Sequence, residues 1–286
     1  MMRFGPAGVP LGCKERSSLS GIACTADLGL DAMELEFVHG CRMTLEKAKE
    51  CGQLAQKRNV SLSAHASYYL NLISPEEGTL EKSKQQLQTT AKVMDAAGGG
   101  RIAIHSGFYL KRTPSEAYPK MLAAYKDLLE RTEGLNATFA PEVMGKQSQF
   151  GTVEEVYSLA EDLGYDRLRP TIDWGHIHAR SNGTLLNKKE EFAGVLGTVE
   201  KAVGNEGLKT LHCHVEGIEF TEKGERRHLP LEEGPPSYKM LIEVLKEFKC
   251  DGTLICESPL LEKDALRLKN AWGDNLKSSG SSQRLK

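Results

Sequence analysis

Six side chains of the kinds that ligate divalent metals end six separate strand-like runs of this chain. The runs are Ser-Leu-Ser-Ala-His65, Arg-Ile-Ala-Ile-His105, Ala-Thr-Phe-Ala-Pro-Glu142, Leu-Arg-Pro-Thr-Ile-Asp173, Leu-Lys-Thr-Leu-His212 and Gly-Thr-Leu-Ile-Cys-Glu257. Neutral imidazole and carboxylate together suit zinc, with manganese or iron as further candidates. Seven of the eight histidines (His65, His105, His176, His178, His212, His214 and His228) fall at strand ends or in the loops just after them. One such histidine is more often a satisfied polar residue than a ligand; seven on one face reverse that expectation. Glu142, Asp173 and Glu257 follow apolar residues, and a buried unpaired carboxylate there costs several kcal/mol unless a cation answers it. In His212-Cys213-His214 the period of two puts both imidazoles on one strand face. One of them is expected to be a ligand and the other its outer hydrogen-bond partner.

The elements that must position these residues follow from the same spacing. The metal-capable positions lie 31 to 45 residues apart, about one strand–helix repeat each. Strands are expected at 3–8, 32–37, 60–65, 101–105, 137–142, 168–173, 208–214 and 252–257. Helices are expected near 16–28, 44–57, 75–97, 114–133, 152–163, 186–203, 236–248 and 262–271. Strict alternation predicts an α/β fold with a parallel sheet, and eight repeats select a closed (β/α)8 TIM barrel, whose strand ends share one mouth. A single barrel domain is expected over residues 1–276, with a disordered tail over 277–286, where Ser-Ser-Gly-Ser-Ser has nothing to pack. Ser74-Pro75 reads as a helix start, Gly98-Gly99-Gly100 as a helix end, and Thr152-Val-Glu-Glu155 as a capping box. The long gap between His212 and Glu257 is expected to hold an extra loop from Glu216 to Gly234.

The chain has 286 residues, 40% of them hydrophobic and 27% charged, which is ordinary for a globular protein. No apolar run nears the roughly 20 residues of a membrane span. Seven cysteines with no framework spacing read as reduced thiols of a cytoplasmic protein. A net charge of −2 excludes any global electrostatic case for nucleic acid, so such binding requires a local patch.

At this point the residues resemble a known family. His65-Ala-Ser-Tyr68-Tyr-Leu-Asn71-Leu72, His105-Ser-Gly107, Glu142-Val-Met-Gly145 through Gly151, Asp173-Trp-Gly-His176 and Glu257-Ser-Pro259 are similar to the signatures of endonuclease IV. That family comprises the zinc-dependent apurinic/apyrimidinic endonucleases of the xylose-isomerase-like barrels. The resemblance runs over roughly residues 3–272. It implies a monomer acting on double-stranded DNA with abasic sites. It further implies His65 and His105 on a first zinc, Glu142 bridging to a second, and Asp173, His212 and Glu257 completing the second. His176 and His228 would belong to a third ion. The family has an Asp-Arg-His triplet there; this chain has Arg226-Arg227-His228, and an arginine cannot ligate a cation. Either the third ion is absent or weakly held, or Glu225, His178 or His214 replaces the missing carboxylate.

Two metals close together are a standard clamp for in-line displacement at phosphorus. The catalytic expectation rests on Glu142 and Glu257, with Arg226 stabilising charge on the leaving oxygen in place of an ion. Arg42, Lys111, Arg112, Lys146, Arg180, Arg226 and Arg227 are the candidate phosphate contacts. By resemblance Tyr68 and Arg42 contact the lesion and the base stack. A metal-dependent sugar isomerase or epimerase of the same barrel group is the rival reading, since it too places Glu, Asp, His and Glu at four late strand ends. A metal-dependent scaffold without turnover is the third.

Overall fold

Strand register explains how residues nearly two hundred positions apart reach one place. The computed structural model describes residues 1–278. The chain runs β1 (Arg3–Pro6), α1 (Ser18–Asp27), β2 (Ala32–Glu36), α2 (Leu45–Arg58), β3 (Ser61–His65), α3 (Glu77–Ala96), β4 (Gly100–Ile104) and α4 (Pro114–Arg131). It continues β5 (Ala137–Pro141), α5 (Val153–Leu163), β6 (Ile172–Asp173), α6 (Trp174–Arg180), α7 (Lys189–Lys209) and β7 (Leu211–Val215). It closes with β8 (Gly217–Thr221), β9 (Gly224–Leu229), α8 (Tyr238–Glu247), β10 (Gly252–Cys256) and α9 (Glu262–Ser278).

Parallel pairing gives two arcs, β2-β3-β4-β5 and β6-β7-β10-β1. Bridges between Ala7 and Glu34 and between Glu142 and Thr171 join the arcs into a closed barrel. The expected sixth strand, 168–173, shrinks to two residues because Leu168 and Thr171 touch β5 only at isolated bridges. The expected α7 continues to Lys209 across a turn at Gly204. No helix among the described residues is long and apolar enough to cross a membrane. Of the expected tail, residues 279–286 lie outside the described part.

Two apolar layers hold the helices to the barrel. Leu62, Ile102, Ile104 and Phe139 pack under α2, α3 and α4, while Phe4, Ile172, Cys213 and Leu254 pack under α7, α8 and α9. The barrel lumen is different: it buries Glu34, Ser63, His212 and His214. Aliphatic side chains usually fill that space.

Three local expectations need correction. Helix α3 starts at Glu77, not Pro75; Ser74 Oγ instead accepts a turn hydrogen bond from Glu76 N at 3.1 Å. Cys13 and Cys24 are joined as a disulfide, so not all cysteines are free thiols; the segment before α1 folds back onto that helix and brings their Cα atoms within 6.1 Å. The expected loop after β7 is an ordered antiparallel hairpin, β8–β9. The Thr152 capping box forms as expected, with Thr152 and Glu155 exchanging bonds of 3.1 and 2.9 Å.

Candidate metal centre

Each strand turns its last residues into the mouth by simple alternation. The Glu142 carboxylate stands at the middle of the cluster. His65 Nε2 lies 3.2 Å and His105 Nε2 3.3 Å from its Oε2, while His214 Nδ1 lies 3.2 Å from its Oε1. His214 Nδ1 is also 3.2 Å from Glu257 Oε1 and 4.0 Å from Asp173 Oδ2. A third group joins on: His176 Nε2 is 3.3 Å from Glu225 Oε2, and His228 Nε2 is 3.8 Å from Glu225 Oε1. The sets His65/His105/Glu142, Asp173/His214/Glu257 and His176/Glu225/His228 each hold their ligand atoms within 4.8 Å of one another.

Two observations fit this donor set to cations. Glu142 Oε2 and Asp173 Oδ2 are buried with no hydrogen-bond partner, which is costly for a carboxylate unless a cation faces it. The imidazoles are also held from behind. The Nδ1 atoms of His65, His176 and His228 lie 2.8, 3.0 and 3.2 Å from the carbonyls of Ala66, Val143 and Glu257. An Nδ1–H donated to each carbonyl leaves the Nε2 lone pair free to face a cation held among the acids, the outer-partner arrangement typical of metal-bound histidine.

The charges are strongly coupled. Burial raises the Glu142 carboxyl, but His105 and His214 outweigh it and hold it well below the usual range. Burial lowers the His65 imidazole, and Glu142, Glu36 and Glu257 reverse this, pushing it up to about 10. Asp173 rises to about 6, first through burial and then through Glu142 and Glu257. For Glu225, burial is overcome by His176 and His228, and the carboxyl falls to about 2.

The outer group depends on a defect in the hairpin. Residues three apart on a regular strand face opposite ways. Here Glu219 opposes Arg227 while Phe220 opposes Glu225, so Arg226 is an extra, bulged residue. The bulge returns Glu225 to the face of His228. It also turns Arg226 outward, where it is 65% exposed and pairs with Glu219 at 2.5 Å, as Arg227 does. The expected catalytic place for Arg226 is therefore corrected: its side chain leaves the centre, and Glu225 fills the carboxylate position. Glycine permits the approach. Glu225 N donates to Gly145 O at 3.1 Å, and a Cβ on Gly145 would lie 2.8 Å from Glu225 Cβ.

The other expected residues divide as follows. His212 sits one alternation below His214 and outside these three sets; its Nε2 lies 3.0 Å from Glu34 Oε2, and His212, Glu34 and His214 form a further buried group whose ligand atoms lie within 4.8 Å of one another. The strand face was right and the height wrong, since His214 takes the place expected of His212. His178 bonds the Leu185 carbonyl and packs against Phe220, which makes it structural. Tyr68 is 45% exposed, with its ring centroid 5.0 Å from those of both His65 and His105, so it overhangs the centre. Arg180 turns away from solvent to bond the carbonyls of Lys146 and Gln149 at 2.6 and 3.0 Å, pinning the Gly145–Gly151 loop from behind. Arg112 is similarly used on Ile73 O. Arg42, Lys111 and Lys146 remain exposed without an ion pair or hydrogen bond from their side chains among the described residues.

Three acids were missed. Glu34 is fully buried, accepts from Ser63 Oγ at 2.6 Å, and lies 3.0 Å from His214 Nε2. Glu36 stands exposed at the rim, where partial desolvation, with the Glu34 and Glu257 charges, raises its carboxyl. Glu216, read as a loop charge, is buried, and burial followed by the Asp173 charge holds its carboxyl well above the usual range. Alternation in Ala32-Met-Glu34-Leu-Glu36 carried the signal for the first two.

A closed parallel barrel with acid–imidazole groups at its C-terminal mouth is the form of a (β/α)8 enzyme. The chain belongs to the Xylose isomerase-like TIM barrel family, whose model matches residues 22–277. It is 38% identical to Uncharacterized protein MJ0133 of Methanocaldococcus jannaschii, over 96% of this chain and 98% of that one. It is 29% identical to Probable endonuclease 4 of Sulfurihydrogenibium sp., over 62% of this chain and 65% of that one, so the match spans under two thirds of that relative. Among solved structures it superposes on endonuclease IV from Thermus thermophilus with a TM-score of 0.71 at 18% identity, covering 96% and 99% of the two chains. A D-tagatose 3-epimerase-like protein gives 0.70 at 20% identity, covering 96% and 97%. At such identities the structural likeness speaks to the fold alone.

Proposed function

We propose that the chain is a divalent-metal-dependent endonuclease that hydrolyses duplex DNA 5′ to abasic sites, with zinc as its ions and manganese as a substitute. The observation that carries this reading is the set of three adjoining acid–imidazole groups around Glu142. A sugar-isomerising site needs only Glu142, Asp173, His214 and Glu257; His65/His105 and His176/Glu225/His228 are surplus to it. The likeness to Probable endonuclease 4 supports the same choice.

In this reading His65, His105 and Glu142 hold a first ion, and Glu142, Asp173, His214 and Glu257 a second. His176, Glu225 and His228 hold a third. When bound, such ions supply Lewis acidity toward a phosphoryl oxygen and toward water. The chain's own groups do the rest. Glu257, near the cavity's edge and 3.2 Å from His214, orients the attacking water and takes up its proton. Tyr68, overhanging the His65–His105 pair, packs against the sugar at the lesion. Arg42, Lys111 and Lys146 hold flanking phosphates, a sequence-independent role that suits a lesion enzyme.

The test is incision of a duplex carrying one abasic site, with and without chelator. A second reading, a metal-dependent sugar epimerase, draws on the fold shared with the D-tagatose 3-epimerase-like protein. Chelator-sensitive turnover of a ketose with intact abasic DNA would select it.

A further inference from the structure

The opposite end of the barrel, away from the metal centre, holds a cavity of about 360 Å³ at the first residues of β1, β3, β4, β7 and β10. Its wall carries three cations, Arg3, Arg101 and Lys209, against one acid, Asp251. None of the three cations touches a carboxylate among the described residues. Arg3 donates to the Asp31 and Asn59 carbonyls and to Asn59 Oδ1, Lys209 to the Lys249 carbonyl, and Arg101 Nη2 to the Thr210 carbonyl. Asp251 lies 2.9 Å from the Met1 amino group.

Arg101 makes the case sharp. On β4 it shares the inward face with His105, four residues on, so its guanidinium enters the lumen floor. Its Nη1 is buried and has no partner. A guanidinium does not deprotonate in a protein, and a buried charge with an unmade hydrogen bond is costly without a counter-ion. Burial lowers its pKa, with Arg169 adding repulsion, which reports the same unanswered charge. Ser61 and Thr253 add hydroxyls to the wall that make no hydrogen bond among the described residues.

We propose that this cavity binds a small phosphate-class oxyanion as the counter-ion of Arg101. The flat fork of the guanidinium matches two oxygens of such an anion, Lys209 and Arg3 supply charge, and the free hydroxyls supply further donors. The volume is at the lower end for ligand pockets, which suits inorganic phosphate or a short phosphomonoester rather than a polymer. The site is spatially separate from the mouth; its inner wall is Ser63 and His212, which fix Glu34 below His214.

The test titrates the full chain with inorganic phosphate, and separately with glycerol 3-phosphate, by calorimetry and thermal melting. Chelator is present throughout to silence the mouth, and ionic strength is matched with chloride. Saturable binding and a rise in melting temperature are expected. Arg101→Gln should weaken binding at least 10-fold and Lys209→Ala by a smaller factor, while His105→Ala, at the other end, should leave it unchanged. Tighter binding of glycerol 3-phosphate would assign the site to a phosphomonoester, tighter binding of phosphate to the free ion; either supports it. Should Arg101→Gln not fold, Lys209→Ala and Arg3→Ala carry the comparison. Absence of saturable binding, indifference to all of the basic-residue substitutions, or loss with His105→Ala overturns the proposal.

Discussion

The Glu34 carboxylate lies 3.0 Å from His214 Nε2, on the side of that imidazole away from Glu142 and Glu257. The ring is thus held between acids, with Glu34 itself fixed by Ser63 and His212. The contact is electrostatic, since neither Glu34 Oε1 nor His214 Nε2 has a hydrogen-bond partner among the described residues; the Glu34 charge favours a proton on Nε2, which leaves the Nδ1 lone pair facing the mouth. Outer partners of this kind are typically worth 10–100-fold in metal affinity. Glu34→Ala should therefore weaken one class of metal site by roughly that factor. Glu34→Gln, which keeps an acceptor, should lose less. Chelator competition with metal counting reads this directly; equal affinities in wild type and Glu34→Ala would remove Glu34 from the account.

Glu225 and Arg226 are adjacent in sequence and opposite in role. Glu225→Ala should cost about one metal equivalent per chain and most of the incision activity. Arg226→Ala breaks only an exposed ion pair, so stability should change by at most about 1 kcal/mol and metal content should not change. Metal analysis of the two purified variants separates these outcomes. A lost equivalent in Arg226→Ala alone would mean that the bulge points the other way in solution.

Tyr68 overhangs His65 and His105 without ligating anything. Tyr68→Ala should leave metal content intact and weaken binding of abasic duplex by roughly 10–100-fold, the range of about 1–3 kcal/mol found for aromatic contacts with nucleic acid. The readout is a fluorescence-anisotropy titration against intact and abasic duplexes. Equal loss on both would contradict a lesion contact.

Proton and metal compete for the same imidazoles. His65 rises from an ordinary 6.5 to about 10 in the folded chain. A raised histidine contributes stability that is full below 6.5 and is lost as pH climbs through 10. In chelator, the melting temperature should therefore fall between about pH 6.5 and 10, while zinc affinity rises over the same range because binding releases protons. Melts and competition titrations at half-unit steps check both slopes, and a flat zinc affinity would speak against imidazole ligation.

Much of this was legible in the chain because alternation is a strong signal. Apolar runs ending in His65, His105, Glu142, Asp173 and Glu257 gave both the barrel and the mouth. Height along a strand was not legible: His212 and His214 share a face, and only pairing with β10 and β6 shows which reaches the acids. The hairpin hid a second ambiguity, since a one-residue bulge reverses which of Glu225 and Arg226 points inward. Glu34 and Glu216 were missed because a charge buried in a barrel lumen runs against the usual expectation. Cys13–Cys24 escaped because their pairing depends on a fold-back that no spacing rule encodes.

The central claim is tested most directly by incubating the purified, metal-replete protein with a duplex bearing a single abasic site and analysing the product ends. The account predicts one cut 5′ to the lesion, abolished by chelator, restored by zinc, and lost in Glu142→Gln and Glu257→Gln. An intact duplex, together with chelator-sensitive turnover of a ketose by the same preparation, would contradict it.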